Sequence, residues 1–173
     1  CNGSTVTIVD NVIAKNKQAG VYFENGSSVK IRGNTITENA LAGIGTGGGG
    51  MAVSEIDARS NIISRNARAG IETQAATGTI YNNIVHDNEE AGIRIVIVPM
   101  AIVNNTVVNN GRAGIVVEDP SRVPTIKNNI VALNGDAGIR AAGEGYSHNV
   151  VYANNETEGE DPHYLWVIRR NYG

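Results

Sequence analysis

Short apolar segments alternate with polar bends along most of the chain. Each segment is three to five residues long and rich in Val and Ile, as in Val6-Thr7-Ile8 and Asn83-Ile84-Val85. Segments of this length that carry β-branched residues and are bounded by turn-forming residues predict strands, and they are too short for helices. The pattern therefore predicts an all-β protein whose strands follow one another at short intervals.

The segments belong to a repeat with constant internal spacing, N-x-[IV]-x-x-N-x-x-A-G-[IV]. Six copies follow this consensus, and a seventh has both Asn residues but lacks the Ala-Gly pair. The length varies only between the Ala-Gly-Ile strand and the next copy. Three strands and one variable loop per repeat are typical of a solenoid. The first Asn residues of the copies are Asn11, Asn34, Asn61, Asn83, Asn105, Asn129 and Asn149.

The repeat predicts roles for its Asn and Gly residues. We expect the first Asn to close a tight bend in the left-handed conformation, which Asn tolerates. We also expect its side-chain amide to bond to the Asn above and below it, which would form a ladder. The Gly is expected where a Cβ would clash or where φ is positive. The Ile or Val at each fixed offset is expected to stack on its equivalent about 4.8 Å away.

The repeat resembles the one shared by pectate-lyase-like proteins and by carbohydrate-binding and sugar-hydrolase-type β-helix domains. The resemblance covers about residues 4 to 155. It implies an all-β, single-stranded, right-handed parallel β-helix solenoid of about seven rungs of about 22 residues. We assign residues 1–155 to the β-helix and residues 156–173 to an irregular C-terminal cap or tail. Open ends of a β-helix expose unpaired strand edges, on which another subunit could dock.

Charge and composition narrow the range of partners. The net charge is −3 and the pI is about 5.6, which argues against binding to nucleic acid. The longest apolar run, from Ile95 to Val103, contains Pro99 and is too short to span a bilayer. A membrane contact would therefore depend on Cys1, which precedes a short polar segment as the lipid-bearing Cys of a mature bacterial lipoprotein does. Alternatively, Cys1 is simply where this chain begins.

The resemblance implies that ligands bind the face formed by the Ala-Gly-Ile strands and their flanking bends. Charged residues on this face alternate in sign from rung to rung, as a solvated, self-paired surface prefers, because stacked like charges repel. The same residues also predict a shallow groove, in which Arg side chains bind the carboxylates of an acidic polysaccharide and acidic side chains accept sugar hydroxyls. The candidate carbohydrate-binding residues are Tyr22, Arg68, Glu72, Glu90, Arg94, Arg112, Asp136 and Arg140.

Catalytic residues are marked only by weaker signals. A β-helix lyase uses a Lys or Arg base, for which Arg94 and Arg140 are candidates. Residues 161–164, Asp-Pro-His-Tyr, resemble the Asp-Pro-His-Asp motif of alginate C5-epimerases. This resemblance implies Asp161 and His163 as candidates, although Tyr164 replaces the last Asp of the motif.

No cofactor or metal site is predicted from the sequence. Calcium would need a cluster of acidic side chains, and no two acids share a column on adjacent rungs. The histidines likewise form no set with the spacing of metal ligands.

Three functions are compatible with this pattern. The residues favour an extracellular, periplasmic or cell-envelope module that binds an acidic polysaccharide or other glycan, or acts as a surface scaffold, without chemistry of its own. The first alternative is a polyuronate lyase or C5-epimerase, or a fragment of one. The second is a structural subunit whose open ends dock on the subunits of a larger assembly.

Overall fold

The computed structural model describes residues 2–48, 52–98, 100–119, 121, 124–141 and 146–155. Within these ranges the regular structure consists of 20 strands, and there is no helix. Accordingly, no helix of the described chain is long and apolar enough to cross a membrane. Each rung contains three strands, so the strands form six complete rungs and two thirds of a seventh.

The strands follow the repeat closely. Rungs 1 to 3 comprise β1 (Thr5–Val9), β2 (Val12–Ala14), β3 (Val21–Phe23), β4 (Ser28–Arg32), β5 (Thr35–Thr37), β6 (Ile44–Thr46), β7 (Ser54–Arg59), β8 (Ile62–Ser64) and β9 (Ile71–Thr73). Rungs 4 to 7 comprise β10 (Ala76–Tyr81), β11 (Ile84–His86), β12 (Ile93–Ile95), β13 (Ala101–Val103), β14 (Thr106–Val108), β15 (Ile115–Val117), β16 (Thr125–Lys127), β17 (Ile130–Ala132), β18 (Ile139–Arg140), β19 (Tyr146–Ser147) and β20 (Val150–Tyr152).

Every third strand belongs to the same parallel sheet. Sheet 1 has the order β1-β4-β7-β10-β13-β16-β19, sheet 2 has β2-β5-β8-β11-β14-β17-β20, and sheet 3 has β3-β6-β9-β12-β15-β18. The bend between sheets 1 and 2 (bend T1) always has two residues, and the bend between sheets 2 and 3 (bend T2) always has six. The bend that leads back to sheet 1 (bend T3) varies from two to seven residues. The predicted rung with one variable loop is confirmed.

Stacked aliphatic side chains fill the space between the three sheets. The middle residues of the sheet 2 strands point inward, and Ile36, Ile63, Val85 and Val107 are completely buried. The parallel register places these residues directly above one another. Phe23 is the one aromatic side chain in the described buried core. β-Branched residues suit such a stack because their side chains pack closely on a pleated surface.

The first Asn of each rung forms the predicted ladder, as Asn83 illustrates. Its Oδ1 accepts hydrogen bonds from the main-chain N–H and the Nδ2 of Asn61, at 3.0 and 2.9 Å. Its own Nδ2 donates to Asn105 Oδ1 and to the carbonyl oxygen of Ala58, both at 3.0 Å. The buried amide therefore satisfies its donors and acceptors without water, so little is lost by desolvating it.

The second Asn of each rung forms another ladder at bend T2. Asn88, for example, accepts from the main-chain N–H and Nδ2 of Asn66 and donates to Asn110 Oδ1 at 3.0 Å. In both ladders the amide of one rung donates to the Oδ1 of the next rung along the chain. The two ladders therefore run in the same direction and stabilise bends T1 and T2.

The left-handed residue of each bend is not the ladder Asn, so that prediction was wrong. The residue immediately before each ladder Asn has the positive φ, as in Ser60 (54°) and Arg65 (52°), which precede Asn61 and Asn66. This backbone turn aims the following Asn side chain along the solenoid axis. The amide can then reach both neighbouring rungs.

The Gly of each Ala-Gly pair is required by close packing and not by a positive φ. A Cβ on Gly43 would lie 2.6 Å from Ile63 Cγ2 and 2.7 Å from the carbonyl oxygen of Gly70. It would also lie 2.8 Å from Asn66 Nδ2, a member of the second ladder. The predicted clash is therefore confirmed, and it explains why the Gly lies at a fixed distance from the Asn.

Candidate functional site

Two columns of outward residues run along the face of sheet 3, parallel to the solenoid axis. The strand column consists of the second residue of each sheet 3 strand, and the bend column lies four residues earlier, in bend T2. Parallel pairing stacks the members of the strand column one rung apart. The strand column is Tyr22, Gly45, Glu72, Arg94, Val116 and Arg140, and the bend column is Gln18, Leu41, Arg68, Glu90, Arg112 and Asp136.

A groove of about 280 Å³ lies between the two columns in rungs 3 to 6. Its apolar part is small and consists of Ala91, Ala113 and Val116. Charged side chains make up the rest of its lining. The ten lining residues are Arg68, Glu90, Ala91, Arg94, Arg112, Ala113, Val116, Glu118, Asp136 and Arg140.

Arg94 is held by carboxylates on both sides. Its Nη1 donates to Glu72 Oε1 at 2.7 Å and its Nε donates to Glu118 Oε1 at 2.7 Å, while its Nη2 lies 2.6 Å from the same Glu118 oxygen. Partial burial lowers the pKa of Arg94, but the hydrogen bond and charge of Glu118 and the charges of Glu72 and Glu90 outweigh it, so the net shift is upward. Glu72 is buried, with 7% of its surface exposed. Arg94 is therefore a fixed positive group in the lining of the groove.

Two further arginines in the groove also have acidic partners. Arg140 Nη2 lies 2.8 Å from Asp136 Oδ2, within the same rung. Arg68 Nε lies 3.9 Å from Glu90 Oε1, in the next rung. Both contacts are partly exposed, so each stabilises the fold by about 1 kcal/mol or less.

Arg112 differs from the other three arginines of the groove. It is exposed and forms no ion pair with any residue that the structure describes. Its charge helps to keep Asp136 ionised. Partial burial raises the pKa of Asp136, but bonds from the Ala137 N–H and Arg140, together with the charge of Arg112, bring it below its usual value. A ligand carboxylate can therefore approach Arg112 without breaking an existing ion pair.

The structure brings together six of the eight predicted carbohydrate-binding residues in this groove. Glu72 does not line it but lies one rung before Arg94 in the strand column and accepts a hydrogen bond from Arg94. Tyr22 lies in rung 1, outside the groove, and its hydroxyl donates to Glu24 Oε2 at 3.1 Å. Partial burial and the nearby Glu24 carboxylate raise the pKa of Tyr22.

Glu118 lines the groove and was missed in the sequence analysis. It follows strand β15 and lies two residues after Val116. Side chains two residues apart along an extended chain point to the same face. Extending the strand column by two residues would therefore have found it.

The remaining sequence candidates have different outcomes. Arg94 and Arg140 line the groove, but each is held in an ion pair. Cys1, Asp161 and His163 lie outside the residues that the structure describes. Among the residues it does describe, no group of three or more His, Cys, Asp or Glu side chains could hold a metal ion.

Comparison with known proteins agrees with this architecture. A family model for the right-handed β-helix region matches residues 1–156, which is most of the chain. Comparisons with curated proteins and with solved structures gave no significant match. The matched residues include every strand of the three sheets and both Asn ladders. The chain therefore belongs to the right-handed β-helix family.

Proposed function

We propose that this β-helix is a non-catalytic module that binds an acidic polysaccharide in the groove on sheet 3. The observation that carries the proposal is Arg112, an exposed guanidinium in a groove whose other three arginines are paired. A guanidinium binds a carboxylate through two parallel hydrogen bonds, which suits the carboxylate of a uronic acid.

The other lining groups suit the rest of a sugar ring. Glu90 and Glu118 offer carboxylate oxygens that accept hydrogen bonds from hydroxyl groups. Ala113 and Val116 offer a small apolar surface for the C–H face of the ring. The groove covers four rungs, which is about 14 Å along the axis. This length fits a short oligosaccharide segment of a longer polymer.

The proposed ligand also suggests where the protein works. Acidic polysaccharides are components of cell surfaces and extracellular matrices. A module that binds them would work in the extracellular space, in the periplasm or at the cell envelope, as a binding or scaffold protein.

The proposal is tested by titrating the protein with oligogalacturonate and oligomannuronate at physiological salt, using calorimetry. An uncharged galactose oligomer is the ligand control. We expect Arg112→Ala to weaken binding about tenfold or more, because a charge-assisted hydrogen bond contributes about 1.5–3 kcal/mol. Arg59→Ala, which removes an arginine from the outer face of sheet 1, is the matched control and should bind as the wild type does.

Three results would contradict the binding proposal. The first is that neither uronate oligomer binds. The second is that the uncharged oligomer binds equally well, and the third is that Arg59→Ala loses as much affinity as Arg112→Ala. Proton NMR spectra of the same mixtures also test for chemistry. An unsaturated uronate would identify a lyase, and a changed ratio of mannuronate to guluronate would identify an epimerase; either product would overturn the non-catalytic assignment.

A further inference from the structure

The outer face of sheet 2 carries a continuous row of β-branched side chains, which we call the sheet 2 stripe. It consists of the first residue of each of the seven strands, stacked in register from rung 1 to rung 7. The row has no charged residue. Its members are Val12, Thr35, Ile62, Ile84, Thr106, Ile130 and Val150.

Exposed apolar surface is concentrated on this side of the molecule. Of the twelve large apolar residues that are exposed in the described chain, seven belong to the sheet 2 stripe, to sheet 2 beside it or to the adjoining bend T2. Ile84, in the middle of the stripe, is 45% exposed. Leu133 and Tyr152 extend the apolar surface at the C-terminal end, with exposures of 59% and 70%. A contiguous exposed apolar patch of this kind marks an interaction surface.

The left-handed residues of bend T2, which lie directly beside sheet 2, are charged only in rungs 1 to 4. In bend T2 the left-handed residues of rungs 1 to 4 are Lys15, Glu38, Arg65 and Asp87. Glu38 pairs with both Lys15 and Arg65 at 3.6 Å, and Asp87 pairs with His86 at 2.7 Å. The corresponding residues of rungs 5 to 7 are Asn109, Leu133 and Ala153.

The sheet 2 stripes of two copies fit each other when they face one another across a two-fold axis. This axis passes through rung 4 and runs parallel to the strands. This operation places rung 1 against rung 7 and rung 2 against rung 6. Val12 then meets Val150, and Thr35 meets Ile130 of the other copy. Ile84 meets its own counterpart on the axis. The smaller Thr side chains are thus opposed by the larger Ile side chains, which is the arrangement that interdigitating faces require.

The same operation separates like charges. The left-handed residues of rungs 1 to 3, which are charged, face the left-handed residues of rungs 5 to 7, which are uncharged. Of these left-handed residues, Asp87 would approach its own counterpart, and each Asp87 is bonded by His86 and Asn109 of its own copy. These bonds lower the pKa of Asp87 and direct its carboxylate toward its own protomer.

We propose that two copies of this chain associate through the sheet 2 stripe, face to face and antiparallel. The groove-lining residues belong to sheet 3, to the half of bend T2 next to sheet 3 or to bend T3, and none belongs to sheet 2, so both sheet 3 grooves stay open in the dimer. The dimer would present two antiparallel grooves to one polysaccharide surface. Two linked grooves bind such a surface more tightly than one, even though each groove makes the same contacts as in the monomer. The association itself does not depend on the proposed ligand.

The dimensions of the face indicate a weak, reversible dimer. Seven rungs are about 29 Å long, and a strand with its adjoining bend residues is about 16 Å wide. The resulting face of about 460 Å² per copy is smaller than the ~800 Å² per partner of a standard stable interface. We therefore expect the dimer to form at high micromolar concentrations.

The test is analytical ultracentrifugation of the whole chain from about 10 μM to about 1 mM. The mean mass of the wild type should rise from 18.2 kDa toward twice that value. Ile84→Lys should weaken association about tenfold or more, because it buries two charges at the centre of the interface. Ile97→Lys is the matched control: Ile97 is equally exposed at 45% but lies in bend T3. Circular dichroism confirms that both variants are folded.

Disulfide trapping in a Cys1→Ser background tests the antiparallel register. Ile84→Cys should cross-link to itself, whereas Val12→Cys should cross-link to Val150→Cys and not to itself. Self-cross-linking of Val12→Cys would contradict the antiparallel arrangement. A wild type that is monomeric at 1 mM would overturn the proposal, and so would an equal effect of Ile84→Lys and Ile97→Lys.

Discussion

At the scale of single residues, crowding at bend T2 decides which side chains the repeat accepts. Gly43 lies against the backbone of the next rung and against the second ladder, with no room for a Cβ. Gly45, two residues later in the same rung, faces outward, and a Cβ there would lie 3.5 Å from the nearest atom, Tyr22 Cδ2. A methyl group therefore fits at Gly45 but not at Gly43, although the two glycines are only two residues apart.

We expect Gly43→Ala to lower the free energy of unfolding by about 3 kcal/mol, because neither the Gly70 carbonyl nor the ladder amide can move away. Gly45→Ala is the matched control and should be neutral or stabilising by about 0.5 kcal/mol, because it restricts the unfolded chain. Urea denaturation followed by circular dichroism measures both. Equal stability of the two variants would show that bend T2 can relax around a methyl group.

The residues that take the left-handed conformation show where prediction from the sequence stops. The constant Asn predicted the ladder and the constant Gly predicted the clash, because only one residue type can take each of these two positions. At bend T2 the left-handed position holds Lys15, Arg65, Leu133 and Ala153, among others, and so has no signature, whereas at bend T1 it mostly holds Asn, Asp or Gly, which adopt this conformation readily. A non-Gly residue pays about 1–2 kcal/mol for this conformation. The hydrogen bonds of the neighbouring ladder Asn offset this cost whatever the side chain is.

At the scale of the strands and bends, the two ladders explain which bends keep their length. Both ladders lie in bends T1 and T2, so an extra residue there would move an Asn out of register with its neighbours. Bend T3 contains neither ladder, and its length varies among the rungs. The sequence revealed this difference because the spacing from Asn to Gly is constant while the spacing between copies is not.

Insertions into rung 4 test this difference between bends. We expect Gly-Ser inserted after Ile97, in bend T3, to cost about 1 kcal/mol or less, because lengthening a loop has a small entropic cost. The same insertion after Glu89, in bend T2, should abolish cooperative unfolding, because Gly92 and Asn88 can no longer both keep their register. Urea denaturation of the two variants gives the comparison. Similar tolerance at both sites would mean that the ladders do not control bend length.

At the scale of the whole molecule, the linear stacking of rungs limited how well the site was predicted. Offsets within the repeat correctly identified the columns, so six of the eight predicted residues line one groove. The prediction grouped residues by column and did not use the spacing of about 4.8 Å between rungs. Tyr22 is three rungs from Arg94, which is about 14 Å along the axis, and so does not reach the groove. A column shows which face a residue occupies, but the rung decides which neighbours it has.

The same linear arrangement predicts graded stability along the solenoid. Each strand of rung 4 pairs with a strand on both sides, whereas β1, β2 and β3 each pair with one neighbouring strand. The inward residues Val6, Ile8 and Ile13 of rung 1 are only partly buried, whereas Ile80, Val85 and Ile93 of rung 4 are completely buried. Because rungs contact only their neighbours, rung 1 can open while the rest of the solenoid stays folded.

We therefore expect the main-chain amides of β11 and β12 to exchange with solvent at least tenfold more slowly than those of β2 and β3, which corresponds to about 1.4 kcal/mol. Hydrogen exchange measured by NMR or mass spectrometry, corrected for the intrinsic rate of each amide, gives the comparison. Equal protection in the two rungs would mean that the solenoid opens only as a whole. In that case the ladders couple all rungs into one cooperative unit, and a single ladder substitution should destabilise distant rungs as much as adjacent ones.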